Sequence, residues 1–475
     1  MRAGPVTGVS YHGRMTTASH DPSPLRSALD GSLLSPGDDG WDAARQAFNL
    51  TADLHPAAVA LVQNAGDVAA VVRFAGESGL RVAAQSTGHA AGSLPPLDDV
   101  VLLKTEGMRG VTVDPGARRA RVEAGVLGSE LGSAAAEHGL TALGGSSPTV
   151  GVLGFALGGG IGWLSRRYGL TCNTITAAEL VTAEGEQVRA DADQNTDLFW
   201  ALRGGGGDFG VVTALELELF PLERVYAGSL VWPAEHGSEV LHAYLDWVGT
   251  IPDDLTTGIR FLNLPPIPEV PEPLRGVPVI DVTGAFIGDA AKGAALLQPL
   301  RSLAEPLIDS WDEIPAAGLS RINGDPEQPV PGLTHHTVVG ELPAEAADTF
   351  VAVAGPDSGT PLIAVGTRHL GGALARAPKG AGALGAVDGE HVVSAVGVVM
   401  APDVAPAVTE ALDTVVAAME PWATGAEYLN FADRPGDASK GFDQETYARL
   451  REVKAAVDPD GLFVAAHPVG VTLHG

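Results

Sequence analysis

The chain has a single cysteine, Cys172, among its 475 residues, so it forms neither an intrachain disulfide nor a cysteine-based zinc site. Basic residues are also scarce: 29 Lys and Arg stand against 58 Asp and Glu, a formal net charge of -29. No basic stripe exists to displace counterions from a nucleic acid or to hold an anionic membrane surface. Long apolar runs are missing as well. The longest charge-free stretch, residues 139–165, contains nine glycines and Pro148, a composition that a lipid-exposed helix does not tolerate. Residues 1–24 carry Arg2, Arg14 and His20 but no apolar core of about 7–15 residues, so they do not read as a secretory signal. The expectation is a cytoplasmic protein with no nucleic-acid or membrane partner, and with Met15 as an alternative start.

Several catalytic motifs are absent too. No Gly-Lys dipeptide occurs, which removes a Walker A loop, and neither G-x-S-x-G nor H-E-x-x-H appears. His335 and His336 are adjacent, so their side chains diverge; the pair reads as a surface loop rather than a metal site.

What is present reads as two or three domains, at roughly 100–200 residues each. In the first half, Asp67 is placed to cap a helix carrying Val68, Val71, Val72 and Ala75, which Gly79 ends. Strands are expected over residues 80–84 and 100–103, a hairpin over 111–122, a helix over 127–138, and strands over 174–182 and 187–190. Beyond residue 221 alternating strands (226–232, 279–287, 392–400) interleave with helices (239–248, 290–303, 405–419), an α+β pattern with a large, mostly antiparallel sheet covered by helices. Six prolines between residues 264 and 278 impose an extended loop. A last helix spans 444–457 before Asp458-Pro459-Asp460-Gly461.

Gly205-Gly206-Gly207-Asp208-Phe209-Gly210 fits the dinucleotide fingerprint G-x-G-x-x-G literally. That fingerprint needs a strand before it and a helix after it. Here a helix (198–202) enters and a strand (211–219) leaves, so the NAD reading fails. The remaining glycine-rich turns suit close backbone approach, where successive N–H groups converge on phosphate oxygens without many cations. Tight turns in a compact sheet are the alternative.

Taken in order, certain segments carry a resemblance. They are Gln85-Ser86-Thr87-Gly88-His89, then Gly151-Val152-Leu153-Gly154-Phe155-Ala156-Leu157-Gly158-Gly159-Gly160-Ile161-Gly162-Trp163, then Asp197-Leu198-Phe199-Trp200 running on to Gly210-Val211-Val212-Thr213, and finally Tyr428-Leu429-Asn430-Phe431. Together they resemble the FAD-linked oxidases of the vanillyl-alcohol-oxidase type, in particular the bacterial berberine-bridge-enzyme-like proteins. The resemblance implies a PCMH-type two-part FAD-binding domain, residues 41–222 with a C-terminal segment 425–475 returning to it. It also implies a substrate-binding domain over 223–424 and a partly disordered leader over 1–40.

By the same resemblance His89 bonds covalently to the flavin 8α-methyl group. The second attachment of many relatives, a cysteine before Pro-Thr-Val-Gly, falls on Ser147, so one covalent bond is expected. The cofactor-binding residues implied are Gln85, Ser86, Thr87, Gly88, His89, Gly145, Ser147, Thr149, Val150, Gly151, Gly154, Gly159, Gly160, Gly162, Gly210, Val212 and Asn430; no metal is implied. Val150 occupies the position that borders the oxygen-access pocket, where valine accompanies oxidases and leucine dehydrogenases. If residues 428–431 are extended, Tyr428 and Asn430 share one face and Glu427 points away. Tyr428 is then the catalytic candidate, as a proton relay or as a ring that positions substrate. Arg368 and His369 are expected on a solvated strand edge. Asn173 and His467 depart from the family pattern. The implied activity is hydride transfer from a small organic substrate, an alcohol, sugar or secondary metabolite, to flavin, with O2 as acceptor, in a monomer or homodimer. An FAD-linked dehydrogenase or a non-catalytic flavin-binding protein is the alternative.

Overall fold

The computed structural model describes residues 22–470 apart from residue 269. Three sheets organise the chain. In the first, strands Ser32–Leu34, Ala58–Leu61, Val100–Lys104 and Arg81–Gln85 lie in that order, the last three parallel and the first antiparallel. Val100–Lys104 is buried along its whole length, as a central parallel strand covered on both faces must be. The leader expected over 1–40 therefore contributes a helix, Ser23–Ala28, and a strand to this sheet; its residues 1–21, with Met15, lie outside the described ones.

Helix Ala65–Ser78 packs Val68, Val71, Val72 and Ala75 onto this sheet, and Gly79 ends it at φ 67°. Its cap differs from expectation. Asn64 accepts the Asp67 N–H, while the Asp67 carboxylate accepts the N–H groups of Asp30, Gly31 and Gln63 and ties the N-terminal strand to the helix. An aspartate three residues into a helix is free to serve a neighbouring segment once another side chain holds the terminus.

The second sheet is antiparallel: Val111–Asp114, Arg119–Glu123, Val211–Glu218, Ile175–Val181 and Gln187–Asp191. Helix Thr196–Leu202 enters the glycine run and strand Val211–Glu218 leaves it, so the order that excluded a dinucleotide turn holds. Asp208 in that run has a structural task. Lys454 Nζ, on helix Gln444–Val457, donates to Asp208 Oδ1 at 2.9 Å and to Asp458 Oδ2 at 2.7 Å. Asp458 accepts the N–H groups of Leu462 and Phe463, and Asp208 accepts that of Val469. Val82 and Val464 then exchange hydrogen bonds with the tail, Val82 N–H to Leu462 O and Val464 N–H to Val82 O, both 2.8 Å. The C-terminal segment thus closes the edge of the first sheet.

The third sheet is antiparallel throughout, with strands Ile308–Asp309, Arg224–Pro233, Val279–Phe286, Leu255–Leu262, Ala364–His369, His391–Val398 and Gly332–Val339 in order, and Asp312–Pro315 also pairing with Arg224–Pro233. Alternation splits its faces. Ile259, Phe261, Ile280, Val282, Val365 and Val393 pack against helices Gly237–Val248, Ala290–Arg301, Ala344–Ala354 and Ala405–Met419. The opposite face carries Ser229, Arg260, Asp281, Thr283, Arg368 and Ser394, placed together by the registers Ser229↔Thr283, Arg260↔Asp281 and Arg260↔Gly366. Two expectations are corrected here. Arg368 lies on an interior strand rather than a solvated edge, and His335-His336 belongs to a strand rather than a surface loop. The proline-rich stretch is a loop as expected but not an extended one: it folds back so that the Gly276 N–H donates to Leu264 O at 3.0 Å, with a short 3₁₀ turn at Glu272–Leu274.

The tail depends on one buried cation between two carboxylates whose side chains are almost wholly buried, so removing the cation leaves them uncompensated. Lys454→Met is expected to lower unfolding stability by about 3–5 kcal/mol, read from the urea midpoint, and to expose the segment after residue 458 to proteolysis.

Candidate active site

Strand Arg81–Gln85 ends in a turn that Gly88 makes at φ 81°, where a Cβ would sit 2.7 Å from Ala47 Cβ. His89 follows. Its ring stacks on Phe48 with centroids 3.7 Å apart, and its Nε2 lies 3.3 Å from Thr149 Oγ1, itself 3.2 Å from Ser147 Oγ. Burial pushes the imidazole down to about 4, so at neutral pH it is an uncharged nucleophile. Beneath the loop, Lys104 Nζ donates to Gln85 Oε1 at 2.9 Å and Gln46 O at 2.8 Å; burial lowers its pKa and no carboxylate pairs with it among the described residues. Gln85 Nε2 and Ser86 Oγ are buried without a partner. Orphaned donors of this kind lie where a polar ligand would satisfy them.

The glycine run closes on this loop from the other side. A Cβ at Gly151 would lie 2.6 Å from Ser86 Oγ, one at Gly162 1.8 Å from Gly144 O, and one at Gly158 1.9 Å from Asn430 Oδ1. No side chain fits at these three places. Gly145 abuts the Phe155 ring, Gly160 abuts Thr171, and Gly159 abuts the Tyr428 hydroxyl, while Gly154 faces open space. Gly210 and Val212 lie apart from these contacts in the second sheet, Gly210 against Leu180 and Val181 and Val212 paired with Leu180 in the core. The other expected positions meet: residues 85–89, 145–151, 158–162 and the segment 428–431.

That last segment is a 3₁₀ turn, Leu429–Phe431, and not the extended strand expected. Tyr428 and Asn430 nonetheless both reach the glycine run, Asn430 Nδ2 donating to Phe155 O at 2.9 Å, while Glu427 turns away to pair with Lys440 at 3.1 Å. The Tyr428 N–H donates to His336 Nε2 at 3.2 Å, and the phenol oxygen is sealed off without a partner. Burial pushes the phenol pKa up; the Asn430 side chain and the Gly160 backbone pull it part-way back, and the Arg368 guanidinium adds a smaller pull. Arg368 itself lies over the Trp163 ring, 4.6 Å from its centroid, and 6.0 Å from that of Phe431. Val150, Ser147, Phe155 and Trp163 share the lining of a cavity of about 50 Å³. Asn173 uses both ends of its amide, Nδ2 donating to Leu384 O and Oδ1 accepting the Gly382 N–H, each at 3.0 Å; a carboxylate could not make the first bond. No group of three or more metal-ligating side chains occurs among the described residues.

Residues 56–191 match the family described as an FAD binding domain. The crystal structure of 6-hydroxy-D-nicotine oxidase from Arthrobacter nicotinovorans covers 94% of this chain and 98% of its own, with TM-score 0.78 and 25% identity. The chain thus carries an FAD binding domain and shares its fold with 6-hydroxy-D-nicotine oxidase and with berberine bridge enzyme from Eschscholzia californica. Among the similar curated proteins, (R)-6-hydroxynicotine oxidase of Paenarthrobacter nicotinovorans is 37% identical over 206 residues, 43% of this chain and 45% of that one. Glucooligosaccharide oxidase of Sarocladium strictum is 31% identical over 291 residues, 58% and 54% of the two chains. The matched region spans about half the length of each of these two relatives. The residues present fit the group that an FAD binding domain implies: the glycine cradle and the unpartnered Gln85 and Ser86 donors are the kind an FAD would engage.

Sequence reasoning missed Phe48 and Lys104. Phe48 belongs to no motif. Lys104 left one trace, a charged residue ending the otherwise apolar run Val100-Val101-Leu102-Leu103.

Behind Tyr428 lies a set of buried imidazoles. Burial is the main cause that holds His336 and His391 near 4 and His369 near 2, with Arg166, which donates to His369 Nδ1, adding to the shifts of the last two. Their folded pKa values lie below the unfolded value near 6.5, so the unfolded chain binds more protons as pH falls. Stability is therefore full above pH ~6.5 and is lost toward pH ~4, by about 2–3 kcal/mol per imidazole; Asp433, raised to about 7 by burial, offsets part of this. The urea midpoint should fall markedly between pH 7 and pH ~4.5, and His391→Gln should flatten the slope.

Proposed function

We propose that the protein is an FAD-dependent oxidase of a small organic substrate, with FAD attached through His89 alone and dioxygen as electron acceptor. The observation that carries this reading is the meeting of four distant segments around a glycine-lined space, with a neutral histidine anchored to one wall and a buried phenol against another. Residues 41–222 with 425–475 hold the coenzyme in this reading, and residues 223–424 present the substrate. Bound FAD supplies a two-electron acceptor at N5, which dioxygen re-oxidises with release of hydrogen peroxide.

The chain's own residues set the conditions. Thr149 takes up His89 Nε2 and would leave Nδ1, which makes no hydrogen bond among the described residues, to bond the 8α carbon, which would give up a hydrogen while dioxygen takes up the two electrons left on the coenzyme. Gln85 Nε2, Ser86 Oγ and the backbone N–H groups of the glycine run are the donors for the coenzyme's oxygens. Ser147 offers a hydroxyl where a thioether would require sulfur, hence the single bond. The Tyr428 phenol, kept protonated by burial, relays the substrate's hydroxyl proton, releasing its own proton toward solvent as it takes up the substrate's; its approach to Gly159 places it against the glycine run. The cavity beside Val150 has the size for a diatomic molecule, which favours dioxygen over a bulky acceptor. The acidic surface, the lone buried Cys172 and the want of any helix long and apolar enough to cross a membrane among the described residues are consistent with action in the cytoplasm, as a monomer or homodimer.

A denaturing gel viewed under ultraviolet light tests the attachment. Wild-type protein should fluoresce and carry the mass of one flavin adduct, and His89→Ala should lose both while still taking up FAD reversibly. A colourless protein that takes up no FAD overturns the proposal. Oxygen uptake tests the proton relay: Tyr428→Phe should lower kcat by roughly 10²–10⁴-fold with flavin content unchanged. A quinone that re-oxidises the flavin far faster than dioxygen would reassign the enzyme as a dehydrogenase.

A further inference from the structure

We infer that Arg368 is an anion subsite and that the substrate is an organic carboxylate; this rests on the oxidase reading of the same site. Among the described residues, the other buried arginines all have acceptors. Arg166 donates to His369 and Asp253, Arg203 to the carbonyls of Phe199 and Gly380, and Arg260 to both oxygens of Asp281. The Arg368 side chain makes no hydrogen bond and no ion pair among the described residues.

Its setting makes that absence informative. The guanidinium stacks on the Trp163 ring, a contact that occupies one face of the fork and leaves its in-plane N–H donors free. Burial pushes its pKa down to about 10, so it stays charged at neutral pH while poorly solvated. The nearest acidic groups are committed elsewhere or unpaired with it: Asp281 is held by Arg260 and Thr283, and Asp325, bonded to Asn323, makes no ion pair with Arg368. Asp325 supplies a counter-charge at longer range but no hydrogen bond, so the part-exposed guanidinium keeps its donors, and an incoming carboxylate matches the fork two bonds to two. The position is that of substrate. Arg368 lies on the polar face of the third sheet and its field reaches the Tyr428 phenol, whereas the orphaned donors that fit the coenzyme lie on the 85–89 loop. Trp163, Phe431 and Tyr428 provide flat apolar surface beside the cation, which suits an aromatic acid. The arrangement also resolves a difficulty of charge: a chain of net charge -29 repels anions at long range, so it needs a local cation to select one.

Calorimetric titration of the purified flavoprotein with benzoate, and with its neutral isostere benzamide, tests the subsite. Wild type should bind benzoate at least about tenfold more tightly; Arg368→Gln should bind the two alike, and Arg368→Lys should keep part of the preference, with circular dichroism unchanged. Equal or absent binding of both by wild type, or a preference that survives in Arg368→Gln, overturns the inference. Loss of flavin from Arg368→Gln overturns it too, by making the residue a coenzyme ligand. Should Arg368→Gln fail to fold, the wild-type preference and its reduction in Arg368→Lys decide. The visible absorption of the same samples reports separately on the oxidase reading: a colourless protein that still prefers benzoate would retain the subsite and sink the coenzyme assignment.

Discussion

The site exists because backbone meets backbone closer than any β-carbon permits. At Gly162 the neighbouring carbonyl of Gly144 occupies the very place a side chain would start, and at Gly158 the Asn430 amide does. Each such glycine gives up more backbone freedom on folding than any other residue, by roughly 0.5–1 kcal/mol against alanine in a regular element. A run of them is a thermodynamic debit unless something bound to the folded form offsets it, and a tightly held ligand that does not bind the unfolded chain does so. The loops therefore behave as half of a structure whose other half is the coenzyme.

Around that constraint the polypeptide arranges charge economically. Its surface is strongly anionic, yet among the described residues Lys104 under the histidine loop and Arg368 on the third sheet are withdrawn from it without an ion-paired acid. Lys104 is satisfied by two neutral oxygens, so its charge acts as a fixed field beneath the Gln85 amide. Arg368 is satisfied by rings alone. The two differ in what they leave available: the ammonium has acceptors already, whereas the guanidinium keeps its donors.

Local pattern made much of this legible. Helices 405–419 and 444–457 were readable to the residue from apolar spacing and their stops, and the reversed order around Gly205 followed from which segments could be helix and strand. The resemblance to FAD-linked oxidases, rather than composition or spacing, located the four converging segments. Long-range pairings were not readable, because nothing in a strand's own composition says which strand lies beside it. Arg368 looked like an edge residue since its motif is polar and glycine-rich, and only the register with Leu255–Leu262 and His391–Val398 makes it interior. The turn at Leu429–Phe431 was misread as extended for a related reason: four residues are too few to distinguish a period of two from a 3₁₀ turn, and the Asn430 bond to Phe155 O that fixes it spans 275 positions. Asp67 and Asn64 competed for one cap, and the loser proved to bind a third segment.

The Lys454 clasp has a consequence for the order of events at the ribosome. Strand Arg81–Gln85 emerges early, but the residues that bond to its outer edge, Leu462 and Val464, emerge some 380 positions later. Throughout translation of the intervening sheet that edge is unpaired, a template for pairing with foreign strands. A chain cut before residue 458 would leave that edge unpaired and Asp208 without its cation, which makes such truncations far more damaging than their length suggests.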